Sequence, residues 1–239
     1  IEYYNRAIEI EPNHIDAYYN LGAALKELSK FEESINAYKK VIELKADHPQ
    51  AHNNLGNVFL DVDRYQDAID SYHKAVEFKP DYAEAYNNLG NIFFVLKNNN
   101  EAIECYKKVI SLNPKSEKAY NNLGIIFKRL EKYEKAVEYY SKILENLSDD
   151  SEVRSDILYR RGGSYERMGK YKKADEDLLL AIKLNPDDAY YLNYLAYSWL
   201  ERKHKIDESI EMLKIAFDLE SNDPYIIDSV GWAYYLINN

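Results

Sequence analysis

The sequence predicts an all-α chain, a solenoid of antiparallel helix pairs. Three observations predict it. The pair Leu-Gly returns at Leu21-Gly22, Leu55-Gly56, Leu89-Gly90 and Leu123-Gly124, 34 residues apart each time. Within each unit apolar residues recur at spacings of 3, 4 and 7, the mark of a helix with one buried stripe. Only eight Gly and six Pro occur in 239 residues, too few for a protein of short strands and turns.

Taken in order, residues 1–14 read as the second helix of a preceding unit. Residues 15–148 hold four complete units, beginning near Ile15, Pro49, Ala83 and Glu117. Each has two amphipathic stretches joined by a short polar turn, such as Lys30 or Asp63-Arg64. Residues 149–154 carry four extra residues of an acidic, Ser-rich insertion, expected to bend the array or act as a hinge. Units five and six, near Ser155 and Ala189, fill 155–222. One extra residue lies in the turn Glu201–Ile206. Residues 223–239 supply the first helix of a seventh unit.

The columns explain the packing. Gly22, Gly56, Gly90, Gly124 and Gly162, then Ala196 and Gly231, are small because two helices cross there. Tyr38, Tyr72, Tyr106 and Tyr140 recur, as do Ala68, Ala102, Ala136 and Ala174. Pro49 and Pro224 fall in first turns, where a missing N–H is tolerated. This pattern resembles the tetratricopeptide repeat family across the whole chain. The resemblance implies a right-handed superhelix whose first helices line a concave groove that binds peptides or extended protein segments.

The composition excludes several classes. With 31 Lys+Arg against 41 Asp+Glu the formal net charge is −10, which argues against a general nucleic-acid binder. No window is apolar enough for a membrane span. One cysteine, Cys105, allows no internal disulfide framework, and no multi-cysteine zinc site. His48 and His52 lie four apart, but no third ligand accompanies them, and His52 sits in an aromatic column. Gly162-Gly163 falls mid-helix, so it is no phosphate loop; Gly163 is expected to leave a gap in the groove face. No catalytic constellation, metal site or cofactor site is evident, and the chain reads as a non-catalytic protein-binding scaffold.

Taking the small crossing residue as position 8, the groove positions implied by the resemblance are 2, 5, 6, 9, 12 and 13. Units one to three place Asn20, Asn54, Asn57, Asn88 and Asn91 there, with a net charge of −3. Units four and five place Asn122, Lys128, Arg129, Arg160 and Arg167 there, net +3. Unit six and the last helix add Tyr194, Tyr197 and Trp232, net −2. These three zones are amide-rich, basic and aromatic. An asparagine side chain offers one acceptor and two donors, suited to a passing peptide unit. Packed helices lie roughly 8–10 Å apart and an extended chain rises about 3.3 Å per residue, so one Asn meets every third ligand residue. Exposed Asn is a poor helix former, and folding offers no evident reason for so many.

The asparagine column is similar to the ladder in the repeats of protein O-linked N-acetylglucosamine transferases. Chaperone-tail adaptors hold a terminal carboxylate with a five-residue clamp. Asn91, Asn122 and Arg160 match three of its positions, whereas Asn87 and Asp156 replace its two lysines. The expected ligand is therefore an extended acidic protein segment. Self-assembly through the apolar last helix is an alternative, as is a targeting arm for an enzyme domain elsewhere in a longer protein. Ile1 opens inside a helical pattern and Asn239 follows an apolar stretch, so the chain reads as a fragment. Units five to seven resemble arrays of Gram-negative bacteria, implying a soluble protein of bacterial cytoplasm or periplasm.

Overall fold

The computed structural model describes residues 1–148, 151 and 153–237. The insertion expected at 149–154 and the end of the last half-unit therefore lie partly outside the described residues. The chain forms two compact units, Ile1–Ala119 and Tyr120–Asn239. Among the described residues are fourteen α-helices and no strand. The first unit holds α1 (Glu2–Ile10), α2 (Ile15–Glu27), α3 (Phe31–Leu44), α4 (Pro49–Asp61), α5 (Tyr65–Phe78), α6 (Ala83–Val95) and α7 (Asn99–Leu112). The division falls within α8 (Glu117–Arg129). The second unit continues through α9 (Tyr133–Leu144), α10 (Arg154–Arg167), α11 (Tyr171–Leu184), α12 (Ala189–Glu201), α13 (Ile206–Leu219) and α14 (Pro224–Ile237).

Within each pair the small column meets the large one. A Cβ on Gly56 would lie 2.6 Å from the Tyr72 ring, and one on Gly124 would lie 2.5 Å from Tyr140. Gly22 and Gly90 face Tyr38 and Tyr106 in the same way, and all four tyrosines are fully buried. In the fifth pair Leu178 faces Gly162, while in the sixth Ala196 packs in one cluster with Leu213. Gly231, on α14, has nothing within 4 Å among the described residues.

The first helix of each of the six complete pairs ends in the same reversal. Ser29, Asp63, Lys97, Glu131, Gly169 and Lys203 all have φ between 52° and 69°. In the first pair Lys30 N–H donates to Leu25 O at 2.9 Å and Ser29 N–H to Lys26 O at 2.8 Å. This is the two-bond closure of a Schellman motif. It recurs at Arg64→Phe59, Asn98→Phe93, Lys132→Phe127, Lys170→Tyr165 and His204→Trp199. Five of the six left-handed positions carry a side chain, so a search for turn glycines misses them. The longer turn before α13 contains a second left-handed residue, Lys205 at φ 44°.

Several first helices start on a side-chain cap, whereas α6 and α10 have none. His14 and His48, 34 residues apart, accept the N–H of Ala17 and Ala51 through Nδ1 at 3.4 and 3.2 Å. Asp188 and Asp223 cap α12 and α14 through their carboxylates.

Candidate functional site

In the first unit the asparagines lie on the face formed by α2, α4 and α6, and most are already engaged. Asn54 Nδ2 donates to the Tyr19 hydroxyl at 2.9 Å and to that of Tyr38 at 3.4 Å. Asn88 Nδ2 donates to Asn53 Oδ1 and to Asn57 Oδ1, both at 3.1 Å. Asn57 Oδ1 also accepts the Tyr72 hydroxyl at 2.6 Å, and Asn91 Oδ1 accepts that of Tyr106 at 2.8 Å. Fully buried Asn53 donates to Glu84 at 3.0 Å. Asn20 is exposed. The expectation that folding gives these amides no task is thus corrected. They tie neighbouring first helices together and hold the hydroxyl ends of the column tyrosines. The carbonyl oxygens of Asn54 and Asn88 take part in none of these bonds, and both residues are only half-buried.

The tyrosine–asparagine pairing follows one rule. The tyrosine sixteen residues after the crossing glycine reaches past it toward the residue just beyond that glycine. Where that residue is Asn57 or Asn91, the hydroxyl is bonded. In the first pair it is Ala23, and Tyr38 pairs with Asn54 of the next helix instead. In the fourth it is Ile125, and no asparagine takes the buried Tyr140 hydroxyl. Burial raises that phenol to about 12, with Arg160 nearby acting in the opposite direction.

In the second unit, α8, α10 and α12 bring Lys128, Arg160, Arg167 and Tyr194 together. Arg160 Nε donates to Asp156 at 2.9 Å. Arg167 is exposed; its Nε lies 3.4 Å from the Tyr133 hydroxyl and its guanidinium 5.9 Å above that ring. Arg129 is also exposed, and Asn122 is half-buried. Tyr194 donates its hydroxyl to Glu166 at 3.3 Å and meets Tyr159 edge to face at 5.4 Å. Burial first, and then Glu166, hold its phenol well above the usual range. Gly163 leaves no open gap, contrary to expectation: a Cβ there would meet the Tyr194 hydroxyl at 3.2 Å and Lys128 Nζ at 3.4 Å.

The aromatic positions lie further along. Tyr197 and Trp232 line an open groove of about 690 Å³ with Glu201, Ile227, Asp228, Gly231 and Tyr235. Trp232 stacks on Tyr235 at 5.4 Å, and its buried indole N–H has no partner among the described residues.

The remaining polar residues have structural tasks. His52 is buried, stacks on Phe78 at 5.5 Å and lies 2.9 Å from Ala46 O through Nε2. Burial pushes the Cys105 thiol up to about 11, away from thiolate chemistry. No group of three or more potential metal ligands occurs among the described residues. No helix of the described residues is long and apolar enough to cross a membrane.

Sequence reasoning puts Tyr19, Asn53 and Glu166 at groove positions 5, 5 and 12 as well, but does not reach their bonds to Asn54, Asn88 and Tyr194. The signal for the tyrosine latch was present: an Asn fifteen residues before a column Tyr occurs in the second and third pairs and is missing from the first and fourth.

Profiles described as tetratricopeptide repeat or TPR repeat match residues 3–36, 24–63, 59–97, 83–116, 117–150 and 155–188. The chain belongs to the tetratricopeptide repeat family. A TPR repeat-containing protein of Pseudomonas aeruginosa is 34% identical over 79 residues, which are 33% of this chain and 13% of that protein. The C-terminal part of a TPR repeat-containing protein from Cytophaga hutchinsonii superposes with a TM-score of 0.82 at 18% identity, covering 96% of this chain and 92% of that one. YrrB, described as a TPR protein with an unusual peptide-binding site, superposes with a TM-score of 0.68 at 20% identity, covering 81% and 97%.

Proposed function

We propose that this chain is a non-catalytic scaffold that binds an extended, acidic segment of another protein along the faces of its first helices. One observation carries the reading: a chain of net charge −10 gathers Lys128, Arg160 and Arg167 on one first-helix face. Such a patch steers acidic segments and suppresses basic ones. Asn54 and Asn88 offer carbonyl acceptors to ligand N–H groups, and Tyr197 with Trp232 offers an aromatic groove for apolar side chains. The fold is that of protein-interaction scaffolds, and its solved neighbour YrrB is described as having a peptide-binding site.

The test is a titration of a fluorescein-labelled (Ala-Glu-Ser)5 peptide, read by anisotropy. Arg160→Glu weakens binding at low salt, and Asn88→Ala/Asn122→Ala weakens it independently of salt. Unchanged affinity in both variants removes the reading.

A second reading is self-association through α14. Tyr225, Tyr234, Tyr235 and Ile237 are all more than half exposed there. Light scattering over a range of concentrations separates the two, since a strict monomer retires self-association.

A further inference from the structure

We propose that Lys128, flanked by Arg160 and Arg167 over the bare backbone of Gly163, forms a notch that takes one side-chain carboxylate of the bound segment. The inference rests on the reading of the first-helix face as a peptide site and names the group read at one position of it.

The chain contains its own control. Lys26 and Lys128 lie 102 residues apart, at the same position of the first and fourth pairs. Lys26 Nζ bonds Asp61 of the next first helix at 3.0 Å. The residue equivalent to Asp61 beside Lys128 is Arg167. The acid that neutralises one lysine is thus replaced by a base at the other. Glu166, the acid that acts on Lys128, accepts the Tyr194 hydroxyl at 3.3 Å, and Asp156 is paired with Arg160 at 2.9 Å. No ion pair of Lys128 occurs among the described residues.

Lys128 is also largely withdrawn from water. Its ammonium lies over Gly163, where a side chain's first carbon would sit 3.4 Å from Nζ. Burial first, then Arg160 and Arg167, push its pKa down against the opposing pull of Glu166. An ammonium held this way is unfavourable for the isolated chain. An arriving carboxylate would supply the missing anion and a charge-assisted hydrogen bond. It would also restore the pairing that Asp61 provides for Lys26. An amide of the same shape brings no charge, so the notch discriminates Glu from Gln.

The experiment compares (Ala-Glu-Ser)5 with (Ala-Gln-Ser)5, both fluorescein-labelled, at low salt. The wild-type chain is expected to bind the Glu peptide about tenfold or more tightly than the Gln peptide, as a charged partner at one site requires. Lys128→Met abolishes most of that ratio while leaving Gln-peptide affinity within about twofold. Lys26→Met leaves the ratio intact. Because Lys128→Met removes an unpaired cation, its thermal melt stays at or above the wild-type value, which separates loss of binding from loss of fold. In a 15N-resolved lysine spectrum, the Glu peptide raises the Lys128 pKa. A Glu/Gln ratio that survives Lys128→Met overturns the notch, as does equal loss on both peptides. Equal wild-type affinity for the two peptides removes the notch and leaves peptide binding standing. If neither peptide binds, the first-helix face itself is misread and the notch falls with it.

Discussion

A methyl group on Gly56 would stand 2.6 Å from the Tyr72 ring, whereas one on Gly231 would meet nothing within 4 Å. The same substitution should therefore have opposite signs. Gly56→Ala forces the helices apart and is expected to cost about 1–3 kcal/mol, more than the helix propensity it gains. Gly231→Ala is expected to stabilise by about 0.5–1 kcal/mol. Urea denaturation of both variants measures the contrast. The histidines supply a pH-dependent prediction. Burial first, then Lys45, lowers the pKa of His48 from its ordinary 6.5, and burial lowers that of His52 against its bond to Ala46. A histidine whose folded pKa is depressed stabilises the fold above its unfolded pKa and loses that stability as pH falls toward its folded value. Protonation of His48 Nδ1 also removes the acceptor that caps α4. Melting temperature should therefore fall on acidification below about pH 6.5. His48→Asn/His52→Tyr, which keeps a cap and an aromatic ring, should show a smaller fall. An identical slope in the two proteins would count against this assignment.

The helix pair is where the tyrosine hydroxyls matter. Tyr106→Phe removes the bond to Asn91 and is expected to cost about 0.5–1.5 kcal/mol. Tyr140→Phe removes a buried hydroxyl that no asparagine holds, so it is expected to cost less than Tyr106→Phe or nothing. Equal losses in chemical denaturation would show that the hydroxyl bonds are not the difference. The same rule gives the asparagines two roles: their presence at positions facing a tyrosine is explained by the fold. Only the atoms left outside the latch, such as the carbonyl oxygens of Asn54 and Asn88, remain for a ligand. The left-handed turns show local geometry overriding residue preference. Both Schellman bonds close whether the residue at positive φ is Gly169 or Lys97.

At the scale of the whole chain, stability is a sum of contacts between neighbouring helices. Helix α1 touches α2 and contains no buried residue, whereas α4 packs on both α3 and α5 and buries seven. Amide hydrogen exchange should be fastest in α1 and slowest in α4 and α5, in a graded order. Uniform protection would instead indicate a single cooperative block. The net charge of −10 acts at this scale too. On the proposed reading, an acidic segment meets repulsion from the chain as a whole and attraction from one face of it, so its association should be sensitive to salt.

The helical fold, its period and its family were legible because they depend on repetition. A glycine every 34 residues with a tyrosine sixteen later can be counted without coordinates, and close packing requires that coincidence. The aromatic role of His52 was legible from its column for the same reason. What each groove residue is free to do was not legible, because it depends on distances between helices far apart in sequence. Asn88 is bonded to Asn53 and Asn57 across a helix boundary, and Lys128 has Arg167 where Lys26 has Asp61. Composition counts those side chains as available surface. Hydrogen bonds and ion pairs act only over a few ångströms, so the tertiary structure alone decided which side chains were already engaged.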